Sequence, residues 1–101
     1  MNRIRRALLV LRFALSMWKV LNLPKNASKG DWRIHSLREL LDLLEREREE
    51  LFVACWQMEC GKGGAQRVIE EAADLGAFAG FIADKARAME LTKRRATCNR
   101  R

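Results

Sequence analysis

The 101-residue chain has one proline, one histidine and almost no runs of β-branched residues. Strands favour β-branched side chains, and proline breaks helix interiors, so the single proline and the near absence of β-branched runs point to an all-α fold. The lone histidine, His35, has no Cys/His spacing around it and there is no CxxC, which argues against a zinc site. His35 reads instead as a helix-entry residue. Cys55, Cys60 and Cys98 make an odd count, unsuited to a disulfide framework, so free thiols and a reducing, cytoplasmic setting are expected. Long apolar runs are missing too. Arg3, Arg5 and Arg6 precede residues 7–11 much as in a signal peptide, but Arg12 ends that run and Lys19 follows. The stretch is too short and too charged to span or insert in a membrane.

What is present suits packed helices. At 49% hydrophobic residues the chain is one domain, or a protomer that needs a partner to complete its core. Its charge is segregated: residues 1–33 carry eight basic and one acidic residue, and 92–101 five basic and none acidic. Residues 34–91 carry seven basic against twelve acidic. The predicted order is a basic helix over 4–21, a loop over 22–35, a core helix hairpin over 36–91 and a basic, frayed tail over 92–101, all in the single domain 1–101. In the first helix Leu8, Leu11, Leu15, Trp18 and Leu21 share a face, expected to pack on the hairpin or on a second subunit. In the loop, Pro24 ends that helix, Gly30 permits a turn and Trp32 supplies apolar surface. Ser36 with Glu39 makes a capping box, and Gly61-Lys62-Gly63-Gly64 joins the two hairpin helices. Those glycines lack the spacing of a phosphate loop and read as a link.

The hairpin places four acids together. Glu47 and Glu50 lie three apart on its first helix, Glu71 and Asp74 three apart on its second. A three-residue step keeps both members of a pair on one flank. If the chain folds back near residues 60 and 61, Glu50 is level with Glu71 and Glu47 with Asp74. The first apolar stripe is Leu37, Leu40, Leu41, Leu44, Leu51, Phe52 and Cys55, and its acids fall roughly 80–140° to one side. The second is Val68, Ala72, Leu75, Ala79, Ile82 and Ala86, with its acids roughly 60–120° to the same side. Packed stripe to stripe, the helices bring four carboxylates to one edge. Like charges repel, and an all-oxygen set suits Mg²⁺, with Mn²⁺ as the other candidate. Arg48 projects near the centre of the first stripe, while Phe78, Phe81 and Lys85 fall on the carboxylate flank.

At Glu47-Arg48-Glu49-Glu50-Leu51 and Glu70-Glu71-Ala72-Ala73-Asp74 the chain resembles the MazG-like all-α nucleoside triphosphate pyrophosphohydrolases, whose hallmark is EExxE, a spacer and ExxD. Lys29-Gly30-Asp31-Trp32 resembles the KGxW loop of small phage and bacterial members, and Asp74 to Asp84-Lys85 resembles the helix after ExxD. The likeness extends over most of residues 10–90. It implies an oligomeric helical bundle, a dimer or tetramer, that hydrolyses a nucleoside triphosphate to the monophosphate and pyrophosphate. Catalytic Glu47, Glu50, Glu71 and Asp74 would bind Mg²⁺, and Lys29, Trp32 and Lys85 would contact the substrate. The sequence departs from the pattern at Arg46, where the first Glu is expected, at Arg48, where an apolar residue is expected, and at Gly76-Ala77, where an asparagine is common. The four acids survive these departures, and a relative that has lost activity is one alternative they leave. The basic ends carry another, a small nucleic-acid-binding or structural helical protein, against which the acidic centre stands because it repels a polyanion.

Overall fold

In the computed structural model, which describes residues 2–23 and 32–99, each helix begins or ends on a local sequence device. Asn2 accepts a hydrogen bond from Arg5 N at 2.8 Å and opens helix α1 (Arg3–Leu21). A single 3₁₀ turn, Trp32–Ile34, interrupts the expected loop. Ser36 then caps α2 (Leu37–Glu59): its hydroxyl accepts from Glu39 N, and the Glu39 carboxylate reaches back to Ser36 N, the reciprocal box expected there. His35 adds a contact to Glu39 from Nδ1 at 3.0 Å. The far end of α2 closes on Gly61 at φ +75°, where Gly61 N donates to Met58 O and Lys62 N to Gln57 O. That pair of bonds is a Schellman motif, and only glycine takes the left-handed position without strain.

Helix α3 (Ala65–Asn99) is the longest element and the one on which the others pack. It continues through residues expected to be a frayed tail. Lys, Arg and Ala are strong helix formers and no Gly or Pro follows Gly80, so nothing halts the ladder. Glu90 and Arg94 pair one turn apart at 3.4 Å in that extension. Contacts between α2 and α3 run in opposite chain order: Gln57 meets Arg67, Glu47 meets Glu71 and Asp74, and Arg33, just before α2, meets Asp84. The two helices therefore pass each other antiparallel.

The buried faces are rotated from those read off the sequence. Leu40 and Ala54 of α2 and Ala73 and Ala77 of α3 form the seam, whereas Leu41 and Phe52 face outward, Phe52 at 66% exposed. Alanines at 73 and 77 let α2 approach this side of α3 closely, and the larger Leu75 and Ile82 are left half-buried beside it. Arg48, expected at the stripe centre, is exposed and pairs with Glu45 at 3.1 Å.

Helix α1 seats on α3 through Phe13, Met17 and the buried Val20, with Phe13 lying against Gly76. On its other side Leu11 and Trp18 point away from the chain, Trp18 at 67% exposed, while Leu8 and Leu15 are exposed at the edge nearer α3. Since α1 and α2 barely meet, the molecule is open, with extents of 62 × 34 × 22 Å and a radius of gyration of 17.0 Å. A chain of this length packed around one core would have a radius near 13 Å. Among the described residues no helix is long and apolar enough to cross a membrane.

Candidate metal centre

Glu47 of α2 and Glu71 and Asp74 of α3 bring one carboxylate oxygen each within 4.8 Å of one another. The level comes from the turn: with Gly61 fixing the fold-back, a rise of about 1.5 Å per residue on both helices sets Glu47 opposite Asp74. The direction comes from the rotated seam. Glu47 lies between Leu40 and Ala54 on the face that meets α3, and Asp74 sits between buried Ala73 and Ala77, itself only 7% exposed. Oε2 of Glu47 and Oε2 of Glu71 are both shielded from solvent.

The fourth expected acid, Glu50, is exposed and stands outside this trio. Three residues turn a helix through about 300°, so when Glu47 points into the seam Glu50 falls about 60° off it, toward the rim. A stripe centred as the sequence suggested would have put both at the edge.

Ionised carboxylates at about this separation repel by roughly 3 kcal/mol per pair at an effective dielectric near 20. A bound cation is one way to offset that repulsion. Oxygens on opposite sides of an octahedral Mg²⁺ stand about 4.2 Å apart, and around Ca²⁺ nearer 4.8 Å. The trio has the donor chemistry of a hard divalent-cation site, and to share one ion its oxygens would draw closer than 4.8 Å, since at most one pair of three can stand on opposite sides of it.

The remaining expected residues gather elsewhere. Trp32 stacks on Phe81, ring centroids 4.4 Å apart and 12° between planes, and donates from Nε1 to Asp84 Oδ2 at 2.9 Å. Arg33 Nε donates to the same oxygen at 3.1 Å, and Lys85 Nζ donates to the Arg33 carbonyl at 2.6 Å. The hydrogen bond from Trp32, then that from Arg33, hold the Asp84 carboxyl below its ordinary pKa. Lys85 and Trp32 thus clasp the 3₁₀ turn to α3, and Lys85 lies about 16 Å along that helix from Asp74. Lys29, with the Gly30-Asp31 that follows it, lies outside the described residues. Phe78, one turn beyond Asp74, meets Phe81 edge-on at 5.4 Å, so an aromatic row runs from the clasp back along α3 to Phe78. Asp84 as the anchor of that clasp was not foreseen. Its only signal was its place one turn beyond Phe81. All three cysteines are free thiols, Cys60 and Cys98 exposed. No protein-family model, curated protein or solved structure matches the chain.

Proposed function

We propose that the chain is a Mg²⁺-dependent nucleotide pyrophosphohydrolase, converting a nucleoside triphosphate to the monophosphate and pyrophosphate. One observation carries the reading. Glu47 on one helix and the Glu71/Asp74 pair on another, more than twenty residues away in sequence, converge in a part-buried seam with one carboxylate oxygen each within 4.8 Å of the others. The resemblance of the same residues to the EExxE and ExxD motifs points to this chemistry among the many that use magnesium. Glu47, Glu71 and Asp74 hold the ion; bound there, Mg²⁺ supplies positive charge to the phosphates and Lewis acidity. Glu50, at the rim, is placed to accept a proton where solvent and substrate enter. Phe78 gives the site an apolar wall on which a base can rest. The open shape and the outward apolar faces of α1 and α2 suit a protomer of an oligomeric bundle, built on the antiparallel pair of α2 and α3.

The test is to incubate the full chain with canonical and modified nucleoside triphosphates and Mg²⁺, following monophosphate and pyrophosphate. Turnover by the parent and none by Glu71→Gln, with helicity unchanged, is the expected result. A variant as active as the parent removes the trio from the chemistry. The rival reading rests on exposed Lys93, Arg94 and Arg95 at the end of α3. It predicts nucleic-acid affinity that collapses between low and moderate salt, which hydrolysis at the trio does not share.

A further inference from the structure

A groove of about 800 Å³ runs between α1 and the start of α3, floored by Leu8, Leu15 and Ile69 and edged by Arg5, Arg12 and Lys19. The three cations recur every seven residues, a step that returns each to within about 20° of the last, so they form one straight edge. No acidic residue lies anywhere in residues 2–23. Nothing within the chain neutralises this edge from the helix that bears it.

The outer face of α2 is the complement. Asp42, Glu45 and Glu49 follow one another along it, and Phe52 and Trp56 continue the same line, Trp56 at 54% exposed. From Asp42 to Trp56, as from Arg5 to Lys19, is fourteen residues, so acid-aromatic ridge and cationic groove both run about 21 Å. Glu45 also pairs with Arg48 on its own helix, leaving its outward position unchanged. The chain cannot bring its own ridge to its own groove, because α1 and α2 barely meet and α3 lies between them.

We infer that the groove of one copy receives the α2 ridge of a second copy, and that this contact holds the protein's oligomer together. The available surface is ample. The chain exposes 8304 Å², against about 5,900 Å² for a folded monomer of its mass, a surplus of about 2,400 Å². A stable interface takes about 800 Å² from each partner. The contact sets carboxylates against cations over one half of its length, about 10 Å, and buries Phe52 and Trp56 on the apolar floor over the other, a polarity that fixes register. The inference builds on the oligomeric reading above and is independent of metal binding and of hydrolysis.

Analytical ultracentrifugation of the full chain tests it with two charge-reversed variants. Arg5→Glu/Arg12→Glu/Lys19→Glu reverses the groove, and Asp42→Lys/Glu45→Lys/Glu49→Lys reverses the ridge. All six side chains are exposed in the protomer, so each variant keeps its helicity by circular dichroism. The parent is expected at a multiple of the 11.7 kDa protomer mass. Each variant alone should self-associate about 100-fold more weakly, and an equimolar mixture of the two should recover the assembly. A parent that stays at protomer mass overturns both this contact and the oligomeric reading. A parent whose assembly ignores both variants overturns the contact alone. Recruitment of a protomeric parent to phosphatidylserine vesicles through the Arg5 edge would show that the groove face serves a membrane, and would also overturn the proposal.

Discussion

Adding one methyl group at Gly76 measures how α1 is held. A β-carbon there would stand 2.6 Å from Cζ and 2.7 Å from Cε1 of Phe13, and 3.0 Å from Sδ of Met17. Carbon atoms pack at about 3.5–4.0 Å, so the Phe13 ring must retreat by about 1 Å. Forced shifts of this kind cost about 1–3 kcal/mol. Phe13 is already 37% exposed and Met17 is flexible, which places the cost in the lower half of that range. Against it stands the helix preference for Ala over Gly, worth about 1 kcal/mol. In the parent background Gly76→Ala should therefore be neutral to destabilising by about 1 kcal/mol, a fall in Tm of up to about 8 °C. In a Phe13→Ala background the ring is gone, and the same change should stabilise by about 1 kcal/mol. Urea denaturation at matched protein concentration, followed by far-UV circular dichroism, gives the coupling across the cycle. Equal gains in both backgrounds would refute the seating of α1 on Gly76.

Asp74→Asn and Glu71→Gln should each abolish Mn²⁺ binding as read by electron paramagnetic resonance titration, whereas Glu50→Gln, outside the trio, should change affinity by no more than about threefold. Ser36→Ala removes the capping box and should cost about 1 kcal/mol, about 4–8 °C in Tm by calorimetry. Because Asp84 is held below its ordinary pKa when folded, its contribution is complete above the unfolded value near 4 and is lost as the pH falls through the lower folded value. The stability gap between the parent and Asp84→Asn should thus be constant from pH 5 to 7 and shrink below about pH 4. A gap that widened on acidification would contradict the clasp.

Local chemistry was legible in the sequence and facing was not. The Ser36-Glu39 box and the all-helical character are written in short-range patterns and stand in the structure as read. So does the level of Glu47 with Asp74, which depends only on the position of the turn and a constant rise. Which side of α2 turns inward depends on a choice that periodicity alone does not make, because α2 is apolar on two faces. Leu40 and Leu44 mark one, Leu41, Phe52 and Trp56 the other, and averaging them put the stripe centre between. Small residues decided it, with Ala54, Ala73 and Ala77 admitting close approach where bulk would not. Glu50 lost its place beside the other acids for the same reason. The length of α3 was missed because charge suggested a tail, while the propensities of Lys, Arg and Ala favoured continuing the helix.

That length has an electrostatic consequence. From Asp74 to Arg94 is twenty residues of unbroken helix, about 30 Å, and the field of a solvated charge decays over about 8 Å at physiological ionic strength. The cationic rod at one end and the anionic pocket in the middle are insulated from each other by salt water. Either can gain or lose charge without retuning its counterpart, so one polypeptide can carry both without compromise.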